Sequence, residues 1–303
     1  MPGEEPFLSV VIPTHQRPAQ LSCCLEALSH QNYPHDRFSV IVVDDGSSSP
    51  PSDVIRETRD RLAVDLIQQP HAGPAAARNT GAQRARGDLL VFTDDDCTPD
   101  PGWLRALASA HLETPNAALG GFTVNALAGN VYSEASQLLI DYLYACFNAD
   151  PTSARFVTSN NFAVPSEAFR EIGGFSTDFP LAAGEDRELC DRWVAKGQSI
   201  RYVPGARVEH HHGLTPRRFL RQHFGYGRGA FQFRRARAQR GASTRVEPLR
   251  FYVDLLRYPF SRLHPRRAFM TSGLFFVSQA ANAAGYFWER WMATSARQRM
   301  QQL

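Results

Sequence analysis

The stretch GDLLVFTDDDCTPD, from Gly87 to Asp100, decides the fold of this 303-residue chain. Its apolar run Leu89 to Phe92 is typical of a buried strand, and the three adjacent carboxylates of Asp94 to Asp96 follow almost directly. Adjacent carboxylates repel one another unless water or a cation relieves them. Their oxygens are the hard ligands that Mg²⁺ and Mn²⁺ prefer. The stretch therefore predicts a strand ending at a metal-binding edge, and a simple turn or helix cap is the alternative.

Upstream of this stretch, short apolar runs alternate with segments of helical composition. Such alternation favours an α/β fold, in which a mostly parallel sheet is covered by helices on both faces. Besides the strand at Leu89 to Phe92, the pattern predicts strands at Leu8 to Ile12, Ser39 to Val43 and Ala63 to Ile67, and helices near Ala19 to Ser29, Asp53 to Arg61 and Pro74 to Ala85.

Polar residues follow the predicted strands. The first strand is followed by Pro13 to Arg17, and the second by Asp44 to Ser47. Ligands of such sheets bind beyond the carboxyl ends of the strands, so these carboxylates and Arg17 are expected to converge on one edge. Asp, Gly and Ser also favour turns and helix caps, and that reading of Asp44 to Ser47 stays open.

The segment His71 to Gly81 combines a glycine turn, a proline suited to the first turn of a helix, and an arginine one turn later. A helix N-terminus with a nearby guanidinium can face a phosphate group. The segment matches neither the GxxxxGK[ST] loop nor the GxGxxG fingerprint. A P-loop nucleotidase and a dinucleotide enzyme are therefore unsupported.

The net charge of +3 conceals two oppositely charged parts. Residues 1–212 carry a net charge of −11, whereas residues 213–303 carry +14. An acidic body followed by a basic tail predicts two different tasks. We place a boundary after residue 212.

Composition and cysteines bound the class of protein. Hydrophobic residues make up 43% and charged residues 21%, which disfavours disorder and a polytopic membrane protein. The five cysteines form no CxxC pair, and the N-terminus has no export signal. A cytoplasmic protein is expected, with peripheral attachment at the inner face of the plasma membrane as an addition.

Six stretches, taken in order, resemble family 2 glycosyltransferases of the GT-A fold, a Rossmann-like α/β architecture. They cover about the first 210 residues. They are SVVIPTHQRP at Ser9 to Pro18, VIVVDDGSS at Val40 to Ser48, GPAAARNTGAQRARGDLLVFTDDDCTPDP at Gly73 to Pro101, NNFAVP at Asn160 to Pro165, IGGFS at Ile172 to Ser176, and GEDRELCDR at Gly184 to Arg192.

The resemblance implies a catalytic domain over residues 1–212, with a nucleotide-binding half to about residue 100 and an acceptor half from about 101. Residues 213–303 would form a helical extension. The donor-binding residues implied are Thr14, Arg17, Asp44, Asp45, Arg78, Asp94 and Asp95, with Asp45 meeting the base.

Asp94 and Asp96 match the DxD signature of the family, and the resemblance implies Asp96 as a ligand of Mn²⁺ or Mg²⁺ with His210 nearby. Asp186 matches the catalytic base. On the acceptor side the resemblance implies Asn160, Asn161 and Glu185. Which of the three consecutive histidines from residue 210 faces the metal stays open.

The implied activity is transfer of a sugar, with inversion, from a nucleotide-diphosphate sugar to a glycan or a lipid-linked acceptor. A UDP-sugar is favoured. Two other classes stay open, a catalytically silent nucleotide-sugar-binding protein and a nucleotidyltransferase. Where processive relatives carry Gln-x-x-Arg-Trp, this chain has Arg221 to Gly227, so repeated polymerisation is unsupported.

The basic tail is predicted to be helical. Eight arginines and no acid lie between Arg217 and Arg240, interleaved with aromatic residues, and apolar stripes follow at Leu249 to Tyr258 and Ala268 to Trp291. Helices packed on the catalytic domain or in a homodimer, an amphipathic anchor on an anionic membrane surface, and a membrane span are the alternatives. We expect the tail to serve the acceptor side at or near a membrane, and we expect no nucleic-acid partner.

Overall fold

The computed structural model describes residues 5–179, 183–243 and 246–300 of this protein, with side chains through residue 295. Eight strands form one sheet. They are β1 (Leu8–Thr14), β2 (Phe38–Asp44), β3 (Val64–Gln68), β4 (Leu89–Thr93), β5 (Cys97–Pro99), β6 (Ala118–Asn125), β7 (Asn161–Pro165) and β8 (Ile200–His210).

Ten α-helices are described, along with short 3₁₀ turns at His35–Arg37 and Tyr258–Ser261. The α-helices are α1 (Pro18–Ser29), α2 (Ser52–Thr58), α3 (Pro74–Arg84), α4 (Trp103–Glu113), α5 (Val131–Phe147), α6 (Ser166–Ile172), α7 (Glu185–Ala195), α8 (Pro216–Gln239), α9 (Leu249–Arg257) and α10 (Pro265–Met300).

The sheet has a parallel half and a mixed half. Its strand order is β3-β2-β1-β4-β7-β6-β8-β5, and the first four strands are parallel to one another. Strand β7 runs antiparallel to β4 and β6, and β5 runs antiparallel to β8. The predicted α/β fold is confirmed, with its four strands, its flanking helices and its helical C-terminal extension. Since β1, β2 and β4 end at the same edge, the segments that follow them meet there.

Small side chains bring α3 close to the sheet. Gly81 faces β1 so closely that an added Cβ would lie 2.4 Å from Cγ1 of Val11. Ala77 and Ala82 are buried in the same apolar layer as Val11. This close approach places Arg78, which is on the same helix, at the edge where the parallel strands end.

The C-terminal helices share an apolar core with α5, since buried Leu139, Phe219, Leu255 and Phe275 belong to one cluster. Helices α8 and α10 touch backbone to backbone: an added Cβ at Gly227 would lie 1.9 Å from the carbonyl oxygen of Asn282. Over the described residues, none of the helices has the length and apolarity that crossing a membrane requires. Through the shared cluster, the C-terminal helices are packed on α5.

Candidate functional site

A cavity of about 530 Å³ opens beyond the carboxyl ends of β1, β2 and β4. Its walls come from the sheet edge, from the start of α7, and from helices α5, α8 and α10. Eleven of the residues predicted from the sequence line it: Thr14, Arg17, Asp45, Arg78, Asp94, Asp95, Asp96, Asn160, Glu185, Asp186 and His210.

Asp95 is fixed by the last residue of β1 and by an arginine that follows this strand. The hydroxyl of Thr14 donates to Oδ2 of Asp95 at 2.7 Å, and Nη1 of Arg17 donates to Oδ1 at 3.1 Å. Burial raises the pKa of Asp95 to about 6, against the opposing effect of these two donors. Asp95 is almost fully buried, and its two hydrogen bonds connect the segment after β4 to the end of β1 and to Arg17.

Asp96 and His210 face each other across the pairing of β5 with β8. Oδ1 of Asp96 lies 3.2 Å from Nε2 of His210, and Oδ2 accepts from Arg17 at 3.1 Å. Burial is the largest single effect and disfavours the charged form of each group, but the hydrogen bond and charge of His210, together with the charge of Arg17, outweigh it and lower the pKa of Asp96. In the same way, the contact with Asp96 raises the pKa of His210 despite its burial.

The donor set of this pair fits a divalent cation. Adjacent octahedral ligands at ~2.1 Å from one ion lie about 3 Å apart, which is close to the observed Asp96–His210 separation. A carboxylate oxygen and an imidazole nitrogen suit Mn²⁺ well. Sγ of Cys97 belongs to the same group of atoms within 4.8 Å. Sulfur is a soft ligand, whereas Mn²⁺ and Mg²⁺ prefer oxygen, so Cys97 is the least suitable ligand of the three.

The other two histidines that follow β8 differ in position. His211 is exposed and its Nε2 lies 2.6 Å from the hydroxyl of Thr98. His212 lines the cavity next to His210, with ring centroids 4.9 Å apart. Burial, and then the nearby charge of His210, lower the pKa of His212 to about 4. His210 is therefore the histidine whose ring contacts the carboxylate of Asp96.

Arg78 joins two carboxylates at the centre of the cavity. Its Nη2 donates to Oδ1 of Asp94 at 2.6 Å, and its Nη1 donates to Oε1 of Glu185 at 3.4 Å. The guanidinium lies 5.6 Å from the ring centroid of Phe175. The amide of Asn79 fixes that ring, because it bonds both the N–H and the carbonyl of Phe175 at 2.9 and 2.8 Å.

Glu185 is held inside this network. It is 4% exposed, and burial, helped by the adjacent Asp186, raises its pKa to about 7. In the described part of the chain, Oε2 of Glu185 and Nε of Arg78 are buried without hydrogen-bond partners. A buried polar atom left unpaired is costly, so a ligand that reaches these atoms would be stabilised there.

Asp186 stands in the first turn of α7, which begins after Gly184 in the left-handed conformation with φ of +96°. It is half-buried and lines the cavity, and its Oδ1 accepts from the N–H of Arg187 at 2.7 Å. Burial raises its pKa above the ordinary value. The carboxylate therefore keeps access to the cavity and gains basicity from its surroundings.

Asp45 fastens the turn that precedes α3. Its carboxylate accepts from Nε2 of Gln69 at 2.7 Å and from the N–H groups of Ala72 and Gly73 at 2.9 and 2.8 Å. The N–H groups of Ala72 and Gly73, which precede α3, are therefore bonded to Asp45.

Two histidines beside Asp45 were missed by the sequence reasoning. His15 and His71 both line the cavity, with ring centroids 4.6 Å apart, and each hydrogen-bonds the carbonyl oxygen of Asp45. His15 lies within the polar run after β1, which was the available signal. The pairing with His71 arises from the tertiary structure.

Asp44 and Asn161 are the two predicted site residues that do not line the cavity. Oδ1 of Asp44 accepts from the N–H of Ser47 at 3.1 Å. This contact is the turn or helix cap that stayed open for Asp44 to Ser47 in the sequence analysis. Asn160 lies in the turn before β7 and lines the cavity together with Thr158 and Ser159, whereas Asn161 is the first residue of β7 and its side chain is buried. The Asn161 amide is fully buried and bonds the indole of Trp103 and two backbone carbonyls.

We expect Asn161→Ala to lower the free energy of unfolding by about 1–3 kcal/mol, because three buried groups lose their partner. Urea denaturation followed by tryptophan fluorescence measures this. Asn116→Ala, at an exposed position, is the control and should stay within about 0.5 kcal/mol of the parent protein. Equal stability of the two variants would contradict a structural role for Asn161.

Helix α8 contributes cavity residues that the sequence reasoning did not name. Gln222, Tyr226, Ala230 and Phe233 line the cavity, and Nε2 of Gln222 donates to the Tyr226 hydroxyl at 2.6 Å. Their spacing of three or four residues marks one helix face, which was the available signal. Opposite them, an apolar wall is formed by Leu139, Ile140, Leu143 and Phe156.

Helix α8 also presses on the segment before Asp186. An added Cβ at Gly229 would lie 1.9 Å from the carbonyl oxygen of Ala183. We expect Gly229→Ala to lower the free energy of unfolding by about 1–3 kcal/mol, because overpacking forces the backbone apart. The same urea assay measures it.

A matched control for that substitution is Gly273→Ala, a helical glycine whose added Cβ meets nothing within 4 Å. It should raise stability by about 0.5–1 kcal/mol, since alanine is the better helix former. If Gly229→Ala behaved like Gly273→Ala, the close contact of α8 with residue 183 would be disproved.

Comparisons with known proteins agree with this geometry. The family model described as Glycosyl transferase family 2 matches residues 9–173, and a model described as N-terminal domain of galactosyltransferase matches residues 146–213. A pre-mycofactocin glycosyltransferase from Mycobacterium tuberculosis is 34% identical over 202 residues, which is 63% of this chain and 41% of that protein. Glycosyltransferase AglE from Haloferax volcanii is 26% identical, over 75% of this chain and 74% of its own length.

Solved structures show the same fold. A mannosyltransferase from Pyrobaculum calidifontis in complex with GDP-Man and Mn²⁺ superposes with a TM-score of 0.62 at 21% identity, covering 99% of this chain and 82% of that one. TarS from S. aureus in complex with UDP-GlcNAc gives 0.59 at 14% identity, covering 92% and 89%. This chain spans less than half of the mycobacterial relative. From the family model, which matches more than half of the chain, and from the GT-A fold, the protein belongs to glycosyltransferase family 2.

Proposed function

We propose that this protein moves a sugar from a nucleotide-diphosphate sugar to a hydroxyl of a glycan or lipid-linked acceptor, with inversion and with the help of Mn²⁺ or Mg²⁺. The observation that carries the proposal is the set of residues that line one cavity. It joins the Asp96–His210 pair on one wall to the accessible carboxylate of Asp186 at the start of α7. A UDP-sugar is favoured as the donor.

The nucleotide end of the donor would lie along the sheet edge. Thr14, Arg17 and Asp45 line this part, with His15 and His71 beside Asp45 as aromatic surfaces for a base. Structural neighbours have been solved with GDP-Man, UDP-GlcNAc or UDP, which supports a nucleotide-sugar donor and leaves the base to be measured.

Asp96 and His210 would hold the cation. When bound there, a divalent cation neutralises the charge that develops on the departing nucleoside diphosphate. The neighbour solved with Mn²⁺ supports this choice of cofactor. Arg17 contacts Asp95 and Asp96 together, so it orients the carboxylate edge.

Asp186 is the proposed general base. As the acceptor oxygen attacks the anomeric carbon, Asp186 takes the hydroxyl proton, the bond from that carbon to the diphosphate oxygen breaks, and the nucleoside diphosphate leaves. A single displacement of this kind inverts the anomeric configuration. Glu185 suits the task less well, because it is buried and paired with Arg78, so we assign it to orienting that arginine.

The acceptor would enter between α5, α7 and α8. Gln222 and Tyr226 can hydrogen-bond its hydroxyl groups, while Phe156 and Phe233 present apolar surface near Asp186. Arg187, which lies 4.8 Å from the ring centroid of Phe233, stands beside the same entrance. A sugar ring with both polar and apolar faces matches these walls.

Calorimetry with UDP, GDP and other nucleoside diphosphates, with and without Mn²⁺, tests the donor side. We expect tighter binding of at least one nucleoside diphosphate when Mn²⁺ is present. Parallel incubation with the matching nucleotide sugar and a glycan or lipid-linked acceptor should release nucleoside diphosphate. Binding without any release would indicate a silent binding protein, and consumption of a nucleoside triphosphate with release of pyrophosphate would indicate a nucleotidyltransferase.

A further inference from the structure

Exposed large apolar side chains concentrate after residue 213. Before that point, the described part of the chain exposes Leu112 and Val194. After it there are thirteen, and eight of them lie on α10. We name these eight the α10 stripe; they are Phe269, Met270, Phe276, Val277, Phe287, Trp288, Trp291 and Met292.

The α10 stripe occupies one face of the helix. At 3.6 residues per turn its members fall within about 160° of the helix circumference, and at 1.5 Å per residue they extend over roughly 36 Å. The opposite face carries Phe275 and Ser278, which are fully buried against the rest of the protein. From Phe269 to Trp288 the sequence contains no charged residue. A continuous apolar surface of this length on a folded protein marks an interaction site.

The exposed charged residues of α10 that flank the α10 stripe are positive. Arg266 precedes it and Arg290 lies near its end, and both are exposed. The single acid of α10, Glu289, is buried and accepts from Arg228 at 2.6 Å and from Gln232 at 2.7 Å. Its negative charge is therefore neutralised inside the protein. The wider segment 213–303 carries a net charge of +14.

We propose that the α10 stripe docks onto an anionic lipid bilayer, with α10 lying in the plane of the membrane surface. An apolar face between arginines matches an interfacial helix, whose apolar side enters the acyl boundary while the arginines meet anionic headgroups. A second copy of the chain fits less well. Pairing two α10 helices would bring arginines together without an exposed acid on α10 to neutralise them.

This inference goes beyond the proposed sugar transfer and does not depend on it. Membrane docking would nevertheless affect sugar transfer, because α10 packs directly on α8 and α8 lines the cavity. Docking of the α10 stripe would hold the cavity close to the membrane surface, where a lipid-linked acceptor resides.

Vesicle flotation of the full chain tests the proposal without any assay of activity. Vesicles of neutral phosphatidylcholine are compared with vesicles that also contain phosphatidylglycerol. We expect binding to the anionic vesicles, reduced at least about tenfold when salt rises from about 0.05 M to about 0.5 M, because screening weakens the arginine contacts. Absence of binding to the anionic vesicles at both salt concentrations, or equal binding to neutral vesicles, would overturn the proposal.

Two variants locate the binding surface. Trp288→Ser with Trp291→Ser should lower the partition coefficient at least about tenfold, because two large apolar side chains leave the interface. Arg266→Glu with Arg290→Glu should abolish the preference for anionic vesicles. Leu112→Ser, an exposed apolar position on α4, is the control and should bind like the parent protein.

Circular dichroism spectra and urea unfolding midpoints should match among all these proteins, which shows that each variant is folded. If the Trp288/Trp291 variant floated as well as the parent, the α10 stripe would not be the docking surface. If the parent formed a dimer that this variant lost, and did not float, the α10 stripe would bind a second copy and the proposal would be wrong.

Discussion

Asp186→Asn is expected to bind the donor nucleotide as well as the parent protein and to lose sugar transfer by ~10²–10⁴-fold, the usual contribution of a general base. The amide keeps the size of the carboxylate but cannot accept the proton of the acceptor hydroxyl. Calorimetry measures the binding, and release of nucleoside diphosphate from the sugar donor in the presence of acceptor measures the transfer.

Asp60→Asn provides the control for this substitution, because Asp60 is exposed and lies outside the cavity. It should transfer at the parent rate. Full activity of Asp186→Asn would remove Asp186 from the mechanism. Glu185→Gln would then be the variant to measure, since Glu185 is the neighbouring carboxylate of the same cavity.

The pH dependence of sugar transfer by the parent protein should reflect the protonation of Asp186. Burial raises the pKa of Asp186, so transfer should fall with decreasing pH at values above the ordinary aspartate pKa of ~3.9, as the base becomes protonated. Measurements of kcat/KM from about pH 4 to 9 test this, since kcat/KM reports the groups of the free enzyme. If kcat/KM fell only at or below the ordinary aspartate pKa, burial would not raise the pKa of the base, and this prediction would be wrong.

Asp96→Ala is expected to abolish the Mn²⁺-dependent part of donor binding. Loss of a supporting partner alone costs about 10–100-fold in metal affinity, and removal of a ligand should cost at least as much. Calorimetry with Mn²⁺ should therefore give the same weak nucleotide binding that the parent shows without metal.

Asp100→Asn is the matched control, because Asp100 follows β5 and its carboxylate faces Arg207 at 3.5 Å, away from the cavity. It should keep metal-dependent binding. If Asp96→Ala also kept it, the cation would be held by other groups, and the proposed Asp96–His210 site would be wrong.

The parallel half of the fold was predictable because its signals are local. The runs at Leu8 to Ile12 and Leu89 to Phe92 are long, apolar and rich in branched residues, and the structure extends each by two residues or fewer. Strands β5 to β8 were not predicted. Their pairing is antiparallel or irregular, with a register shift after Gly121, and depends on contacts far apart in sequence.

The chemistry of the sheet edge was also predictable, because parallel strands end together whatever their neighbours are. Asp94, Asp95 and Asp96 lie where their position after β4 places them, at the cavity. Their separate contacts were not predictable. Asp94 pairs with Arg78, Asp95 with Thr14, and Asp96 with His210, which lies more than a hundred residues later.

By itself, the sequence determined the α/β class, the carboxylate edge and the sign of charge in each part of the chain, because these follow from local apolar periodicity and composition. Tertiary structure decided which side chains act together. Asn160 faces the cavity and Asn161 does not, because Asn160 lies in the turn before β7 while the amide of Asn161 is bonded to Trp103 and to two backbone carbonyls. One wall of the cavity likewise comes from α8. The position of this helix depends on close backbone contacts at Gly227 and Gly229, which arise only when the chain is packed.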